Sequence, residues 1–423
     1  MADDTMDKGL NRNSAMPSRR AMLMGTGAAL FASAGVPIPF LDKLPPGMRL
    51  VADAQEASGA MPEGKSGLTI LGDRPINMET PPHLLDDEVT PGKYFFVRNN
   101  GLPPDVTNVT DESWKLTVDG EVERPLEMSI ADLKREFEPV TLRLVVECGG
   151  NGRAFYRPGA SGNQWTFGAV GCADWTGVRV KDVFEKAGLK KTAIYTGHYG
   201  ADTHLSGDPS KEAISRGVPI AKAMDPNSII AWAMNGEDIP YLNGYPLRLM
   251  MPGYPGSCSQ KWLTRIWVRD QVHDGQKMLG HSYRVPKYPV APGTEVPDED
   301  MKIIENMPIK SLITSPQTGS RSKLGESIQV RGHAWCGEGA DVARVDVSMD
   351  FGETWTQADL APAPNRFSWQ RFTANVTPPQ QGYYEIWARA TDTNGVEQPA
   401  TTPGWNPHGY INNMQHRIAV FVI

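Results

Sequence analysis

Cysteine is scarce in this 423-residue chain, with four at positions 148, 172, 258 and 336. No two of them form Cys-x-x-Cys and no Cys-x-x-Cys-His occurs, which excludes an iron–sulfur cluster and a covalently attached c-type haem from the chain. Four would still permit two disulfides in an oxidising compartment. Histidine is also scarce, with eight. None is spaced as His-x-x-x-His or His-Glu-x-x-His, the pattern that puts two imidazoles on one helix face for zinc. Any metal must therefore be held mainly by a group the protein does not encode. Long basic runs are missing too, and 42 Lys+Arg against 49 Asp+Glu gives a net charge of −7, so a sequence-independent grip on nucleic acid is excluded. Beyond residue 40 no segment is long and apolar enough to span a bilayer.

What is abundant points to a folded, turn-rich protein. Hydrophobic residues make up 40% and charged residues 22%, inside the globular range. The 42 glycines and 35 prolines indicate many turns and hence β-rich architecture. The length allows two or three domains. Ser18-Arg19-Arg20-Ala21-Met22-Leu23 precedes a Gly/Ala-rich apolar run to about Phe40, with small residues at Ala32-Ser33-Ala34 and Ala52-Asp53-Ala54 as cleavage positions. This reads as a twin-arginine export signal over residues 1–54, and the mature protein is expected to be soluble, periplasmic and loaded with a cofactor before export.

Gly59-Ala60-Met61-Pro62-Glu63-Gly64-Lys65-Ser66 matches the phosphate-binding loop G-x-x-x-x-G-K-[ST] letter for letter. A working loop of that kind follows a buried strand and opens a helix whose N-terminus faces phosphate. Residues 52–58 are no such strand and Gly67 would sit in the first helical turn, so the match is set aside.

The rest divides in two: a mixed α+β region over 55–305 and a sandwich over 306–423. In the first, Thr141–Glu147 has strand composition, Ser129-Ile130-Ala131-Asp132 opens a helix with capping-box spacing, and a second helix is expected over Val178–Ala187, closed by Gly188. Pro286, Pro289, Pro292, Pro297 and Asp298-Glu299-Asp300 read as a linker. Beyond it helical periodicity stops. Arg344–Met349 and Tyr384–Ala390 alternate, with turns at Asp350-Phe351-Gly352 and Thr393-Asn394-Gly395, the pattern of an immunoglobulin-like β-sandwich.

The chemistry gathers where the Thr141 strand ends. Cys148-Gly149-Gly150-Asn151-Gly152-Arg153 sets a thiol beside backbone free of side chains, open to close approach by a bulky ligand, with a fixed cation five residues on. Val146–Arg153, with Phe95-Phe96-Val97-Arg98-Asn99-Asn100 upstream, Asp174-Trp175-Thr176-Gly177-Val178, Asn243-Gly244-Tyr245-Pro246-Leu247-Arg248 and Lys261-Trp262 downstream, and Arg344–Trp355 in the sandwich, resembles the sulfite oxidase family of molybdenum enzymes. The resemblance runs in order through nearly all of the chain beyond the export signal. Within the family it is most similar to the molybdenum subunits of sulfur (sulfane) dehydrogenases of the thiosulfate-oxidising Sox system.

The resemblance implies a molybdopterin-binding α+β domain and an immunoglobulin-like dimerisation domain. It makes Cys148 the single protein ligand of molybdenum, a soft donor for a redox metal beside a pyranopterin dithiolene. Arg98, Asn99, Asn100, Asn243, Arg248, Ser259 and Lys261 become cofactor-binding residues, with Arg248 and Lys261 on the pterin phosphate. Asn100 and Asn243 stand where relatives often carry His. Arg98, Arg153, Trp165 and Tyr283 match positions lining the substrate pocket, although Trp165 alone would read as core packing. In Trp405-Asn406-Pro407-His408-Gly409, His408 replaces a third pocket arginine. The implied activity is oxidation of a sulfur compound by oxygen-atom transfer, with electrons leaving to a c-type cytochrome, sulfur arriving on a carrier protein, and a homodimer formed through the sandwich. Alternatives are a dehydrogenase of free sulfite, a molybdenum sulfoxide reductase, and a cofactor-free binding module built on the sandwich.

Overall fold

The structure, a computed structural model, describes residues 60–423. The expected export signal over residues 1–54 and Gly59 of the phosphate-loop match lie outside the described residues. A three-stranded antiparallel sheet comes first, built from β1 (Thr69–Asp73), β2 (Ile76–Glu79) and β3 (Val97–Arg98). Two further sheets interleave along the chain. One orders β5 (Leu126–Ser129), β4 (Lys115–Gly120), β12 (Leu263–Arg269) and β8 (Tyr195–Gly200), with β4 and β12 parallel. The other orders β10 (Glu237–Asp238), β9 (Ile229–Met234), β7 (Val170–Arg179) and β6 (Val140–Glu147), with β11 (Arg248–Met250) also on β9.

Short helices cover this α+β region. Helix α1 (Ile130–Glu136) starts at the expected capping box: the Ser129 hydroxyl accepts from the Asp132 N–H at 3.0 Å, and the Asp132 carboxylate accepts from the Ser129 N–H at 2.9 Å. Helix α2 (Val180–Ala187) buries Val180, Val183, Phe184 and Ala187, the i, i+3, i+4, i+7 stripe of a core-facing helix. It ends at Gly188, whose φ of +74° suits glycine. Its start corrects the sequence reading. Val178 and Arg179 pair with Ile230 and Ile229 as the last residues of β7, because apolar positions at the strand end satisfy both periodicities and tertiary pairing decides.

The Pro-rich stretch is more than a linker: β13 (Arg284–Pro286) and β14 (Met301–Ile303) pair antiparallel across it, and Asp298–Asp300 forms one 3-10 turn. The sandwich follows. One sheet orders β15 (Lys310–Ser315), β17 (Ile328–Trp335), β21 (Gln370–Val376) and β20 (Asp359–Leu360); the other orders β16 (Ser320–Ser322), β23 (His416–Val422), β22 (Gly382–Asp392), β18 (Val342–Ser348) and β19 (Thr356–Gln357). Between them lie Val330, Val345, Phe372, Ile386, Ala388 and Val420, all buried. The hairpin at Asp350 needs two left-handed residues, Phe351 at φ +61° and Gly352 at +86°, the geometry that matches strand twist in a tight turn. Asp346 departs from simple alternation. It is buried yet charged, and Arg344 at 2.8 Å and Arg389 at 3.5 Å compensate it.

All four cysteines are free thiols. Burial pushes Cys172 up to about 12 and Cys336 up to about 11, and raises Cys258. Thiols held protonated in this way are poor nucleophiles and poor ligands.

Candidate active site: a cationic cavity at the end of β6

Strand β6 delivers Cys148 to the floor of a cavity. The Cys148 N–H donates to the Ala169 carbonyl at 2.9 Å, and its own carbonyl accepts from Asn151 N–H at 2.9 Å, closing the turn. Glu147, one residue earlier, points the other way into the sandwich. Its carboxylate forms an ion pair with Lys310 of β15 and accepts from Trp335 Nε1 and Asn151 Nδ2, each at 2.9 Å. Residues 405–412 of the sandwich clasp the turn from the opposite side. Ile411 N–H donates to Gly149 O at 2.8 Å and Asn412 Nδ2 to Gly152 O at 2.7 Å. Gly152 is required twice over: its φ is +89°, and a Cβ there would meet the Asn412 side chain at 2.8 Å.

The cavity measures about 620 Å³ including its open mouth. Cys148 shares its wall with Arg98, Asn100, Asn243, Arg248, Ser259, Lys261 and Tyr283, so eight of the residues anticipated from sequence come together. Arg98 donates to the Asn100 Oδ1 at 2.9 Å and to the Asn99 carbonyl. Lys261 donates to Asn99 Oδ1 and, at 2.9 Å, to the Leu242 carbonyl. Arg248 donates to the Asn243 carbonyl at 2.9 Å. The Ser259 hydroxyl accepts from Met251 N–H at 3.0 Å. Asn99 itself is buried behind the wall.

Besides Asn99, three anticipated residues stand back from the wall. Arg153 clamps loops: it donates to the His408 carbonyl at 2.6 Å and the Asn163 carbonyl at 3.0 Å, and lies over the Tyr410 ring at 5.1 Å. Trp165 is fully buried and meets Phe96 edge-on at 6.4 Å. The His408 ring lies 5.8 Å from Tyr410, which stacks on Tyr283 at 5.4 Å, so it reaches the cavity only through two aromatic rings.

Several wall residues had escaped sequence reasoning: Phe95 and Phe96 from a quoted motif, Ser257 and Gln260 beside Ser259, and Asp202, the one acid in the wall among the described residues. The adjacency of Ser257 and Gln260 to Ser259 and Lys261 was the available signal. Burial outweighs Lys261 and Lys277 and raises the Asp202 pKa to about 6. Lys261 is pulled well below the ordinary lysine range by burial, then by Arg248. Lys65 was missed as well. It is buried behind Asn243, and its ammonium donates to Gly92 O at 2.7 Å, Phe95 O at 2.9 Å and Asn243 Oδ1 at 2.5 Å. The segment around it forms turns and no helix, in keeping with the rejected phosphate-loop match.

Two family models match the chain: the oxidoreductase molybdopterin binding domain over residues 103–277 and the Mo-co oxidoreductase dimerisation domain over 301–423. The sulfite oxidase of Gallus gallus is 31% identical over 376 residues, covering 86% of this chain and 80% of that protein. The chain belongs to the sulfite oxidase family of molybdenum enzymes. The mitochondrial sulfite oxidase of Rattus norvegicus is 34% identical over 374 residues, and this family member spans 66% of that protein's length. The solved structure of the sulfane dehydrogenase SoxCD from Paracoccus pantotrophus superposes with a TM-score of 0.66 at 25% identity, covering 90% of this chain and 96% of that one.

The residues present fit the molybdopterin this family binds. Cys148 is the one thiol of the four in the cavity wall, and sulfur is the donor type a soft redox metal takes. Arg248, Lys261 and Arg98 supply positive charge for an anionic group. Arg248 Nε, Ser257 Oγ and Gln260 Oε1, all in wall residues, and Asn99 Nδ2 behind them are buried without a partner among the described residues. Orphaned buried polar atoms cost about 1–3 kcal/mol each, and several around one cavity indicate a polar ligand that completes them.

Proposed function

We propose that this protein is a periplasmic sulfane dehydrogenase: it oxidises sulfane sulfur held on a carrier protein and passes the electrons to a c-type cytochrome. The observation that carries the reading is the state of position 408. His408 stands back from the cavity wall behind Tyr410 and Tyr283, and burial, then Arg153, then His281 lower its pKa, so the sandwich loop brings no fixed cation to the cavity. A doubly charged free anion gains from such a cation, whereas a less charged sulfur group on a carrier does not need it. The likeness to the sulfane dehydrogenase structure supports the same reading.

When bound, the molybdenum cofactor supplies two-electron oxidation with oxygen derived from water. The chain's own residues bind and orient. Arg248 and Lys261 would hold the anionic end of the pterin, and Cys148 would hold the metal. Arg98, fixed by Asn99 and Asn100, faces anionic oxygens of the sulfur group. The Tyr283 hydroxyl lies 3.5 Å from Asn100 Oδ1 and Lys277 Nζ donates to that oxygen at 3.2 Å, so both can hold a proton at the cavity edge. Tyr283 takes a φ of +52°, a strained conformation for a non-glycine residue that its stacking between Arg216, at 4.7 Å, and Tyr410 maintains. Asp202 can receive a proton.

The decisive assay compares carrier-bound sulfane with free sulfite. Wild type is expected to prefer the carrier-bound form, and His408→Arg to shift preference toward sulfite. Equal efficiency of wild type on both substrates would replace this reading with a sulfite dehydrogenase, the second reading, which the Arg98 guanidinium in the cavity wall favours.

A further inference from the structure

Lys65 is none of the cofactor or substrate residues anticipated from sequence and is not in the cavity wall, yet three observations tie it to the cavity. Its ammonium has three N–H bonds and meets three acceptors: two main-chain carbonyls and Asn243 Oδ1. An ammonium only donates and a carbonyl only accepts, so Lys65 and the Phe96 carbonyl together fix the Asn243 amide: oxygen toward Lys65, nitrogen away. One N–H of that nitrogen donates to the Phe96 carbonyl at 2.9 Å. The other is left for the cavity, in whose wall Asn243 stands. The Asn243 main-chain carbonyl in turn accepts from Arg248. Lys65, Asn243 and Arg248 thus form one connected chain ending at the cavity.

The charge balance points the same way. Lys65 and Arg248 are nearly excluded from water and Lys261 is half-buried beside them, and Asp202 is the one acid in the wall among the described residues. Like charges buried together repel strongly unless an anion joins them. With an amide turned the other way, Asn243 would present oxygen to that anion and repel it.

We propose that Lys65 is a positioning residue of the cofactor's anion cradle, holding the Asn243 amide nitrogen toward the cavity and placing a further positive charge behind it. The inference rests on the molybdopterin reading of the cavity. It extends that reading to a residue from the segment preceding β1, far in sequence from the Asn243–Lys261 stretch.

The test measures cofactor retention. Molybdenum and pterin per chain are determined on purified cofactor-loaded protein, and release is timed during dialysis against inorganic phosphate. Thermal unfolding of apoprotein from a host lacking pterin synthesis reports the fold. For Lys65→Met we expect about tenfold faster pterin release with apoprotein unfolding at or above the wild-type temperature. Asn243→Asp keeps an oxygen for Lys65 and the same volume but has no side-chain N–H, and should lose pterin equally; it decides the matter where Lys65→Met fails to fold. Either variant folding with wild-type pterin content and release rate overturns the inference. Wild-type protein devoid of pterin would overturn the molybdopterin reading and this inference with it, which separates the two failures.

Discussion

Lys65 enters the native state against its own solvation. Burial, then the Arg248 charge, lower its pKa to about 7, while an unfolded lysine titrates at about 10.4. Between those values the unfolded chain binds more protons than the folded one, so apoprotein stability contributed by this group rises with pH across that window. Below pH 7 the full penalty is present. Lys261 shares the direction, and Asp202 titrates at about 6, below the window. We therefore expect Lys65→Met apoprotein to unfold at a higher temperature than wild type at pH 6–7, with the gap closing toward pH 9; thermal unfolding at several pH values checks it, and a gap independent of pH would show that Lys65 stays charged. Residues of this kind hide from sequence inspection. Cys148 and Arg248 announce themselves through glycine-flanked or contiguous motifs, but Lys65 gains its meaning from Asn243, 178 positions away, and locally it resembles a phosphate-loop lysine that the fold does not build.

Strands β6 and β15 meet at a buried ion pair immediately behind the Cys148 turn. Glu147 and Lys310 are 3% and 6% exposed, so each neutralises a charge that would otherwise be stranded. Removing one partner of such a pair costs about 3–5 kcal/mol, whereas replacing both is often nearly neutral. Lys310→Met is accordingly expected to lower the urea midpoint strongly, and Glu147→Gln combined with Lys310→Met to recover most of it; additive losses in the double variant would deny the coupling. The elements themselves were largely legible. The capping box at Ser129 and the β-branched run to Glu147 are local signals, and the structure follows them. The boundary between β7 and α2 was not, since Val178 fits either periodicity and its pairing with Ile230 is non-local. Trp165 and Arg153 illustrate the same limit: the motif identifies the neighbourhood, but which side chain faces the cavity depends on the sandwich loop that Arg153 holds.

At the scale of the whole molecule, the proposed reaction needs an electron exit. The family's cofactor takes electrons in pairs, and a c-type cytochrome accepts them singly. On the proposed reading, isolated protein given substrate should reduce its centre once and stall, and added cytochrome should restore turnover; sustained turnover with oxygen as sole acceptor would contradict this. No helix among the described residues is long and apolar enough to cross a membrane, and the sandwich, matched by a dimerisation-domain model, is the surface proposed for pairing with a second copy. That sandwich also clasps the turn that carries Cys148. Gly152 and Asn412, joined by one hydrogen bond, stand 260 residues apart. At a synthesis rate of about 5–20 residues per second, the Cys148 turn leaves the ribosome roughly 13–50 s before the loop that clasps it. Until then the turn that carries the thiol lacks its clasp, so its finished form is a late event in the life of the molecule.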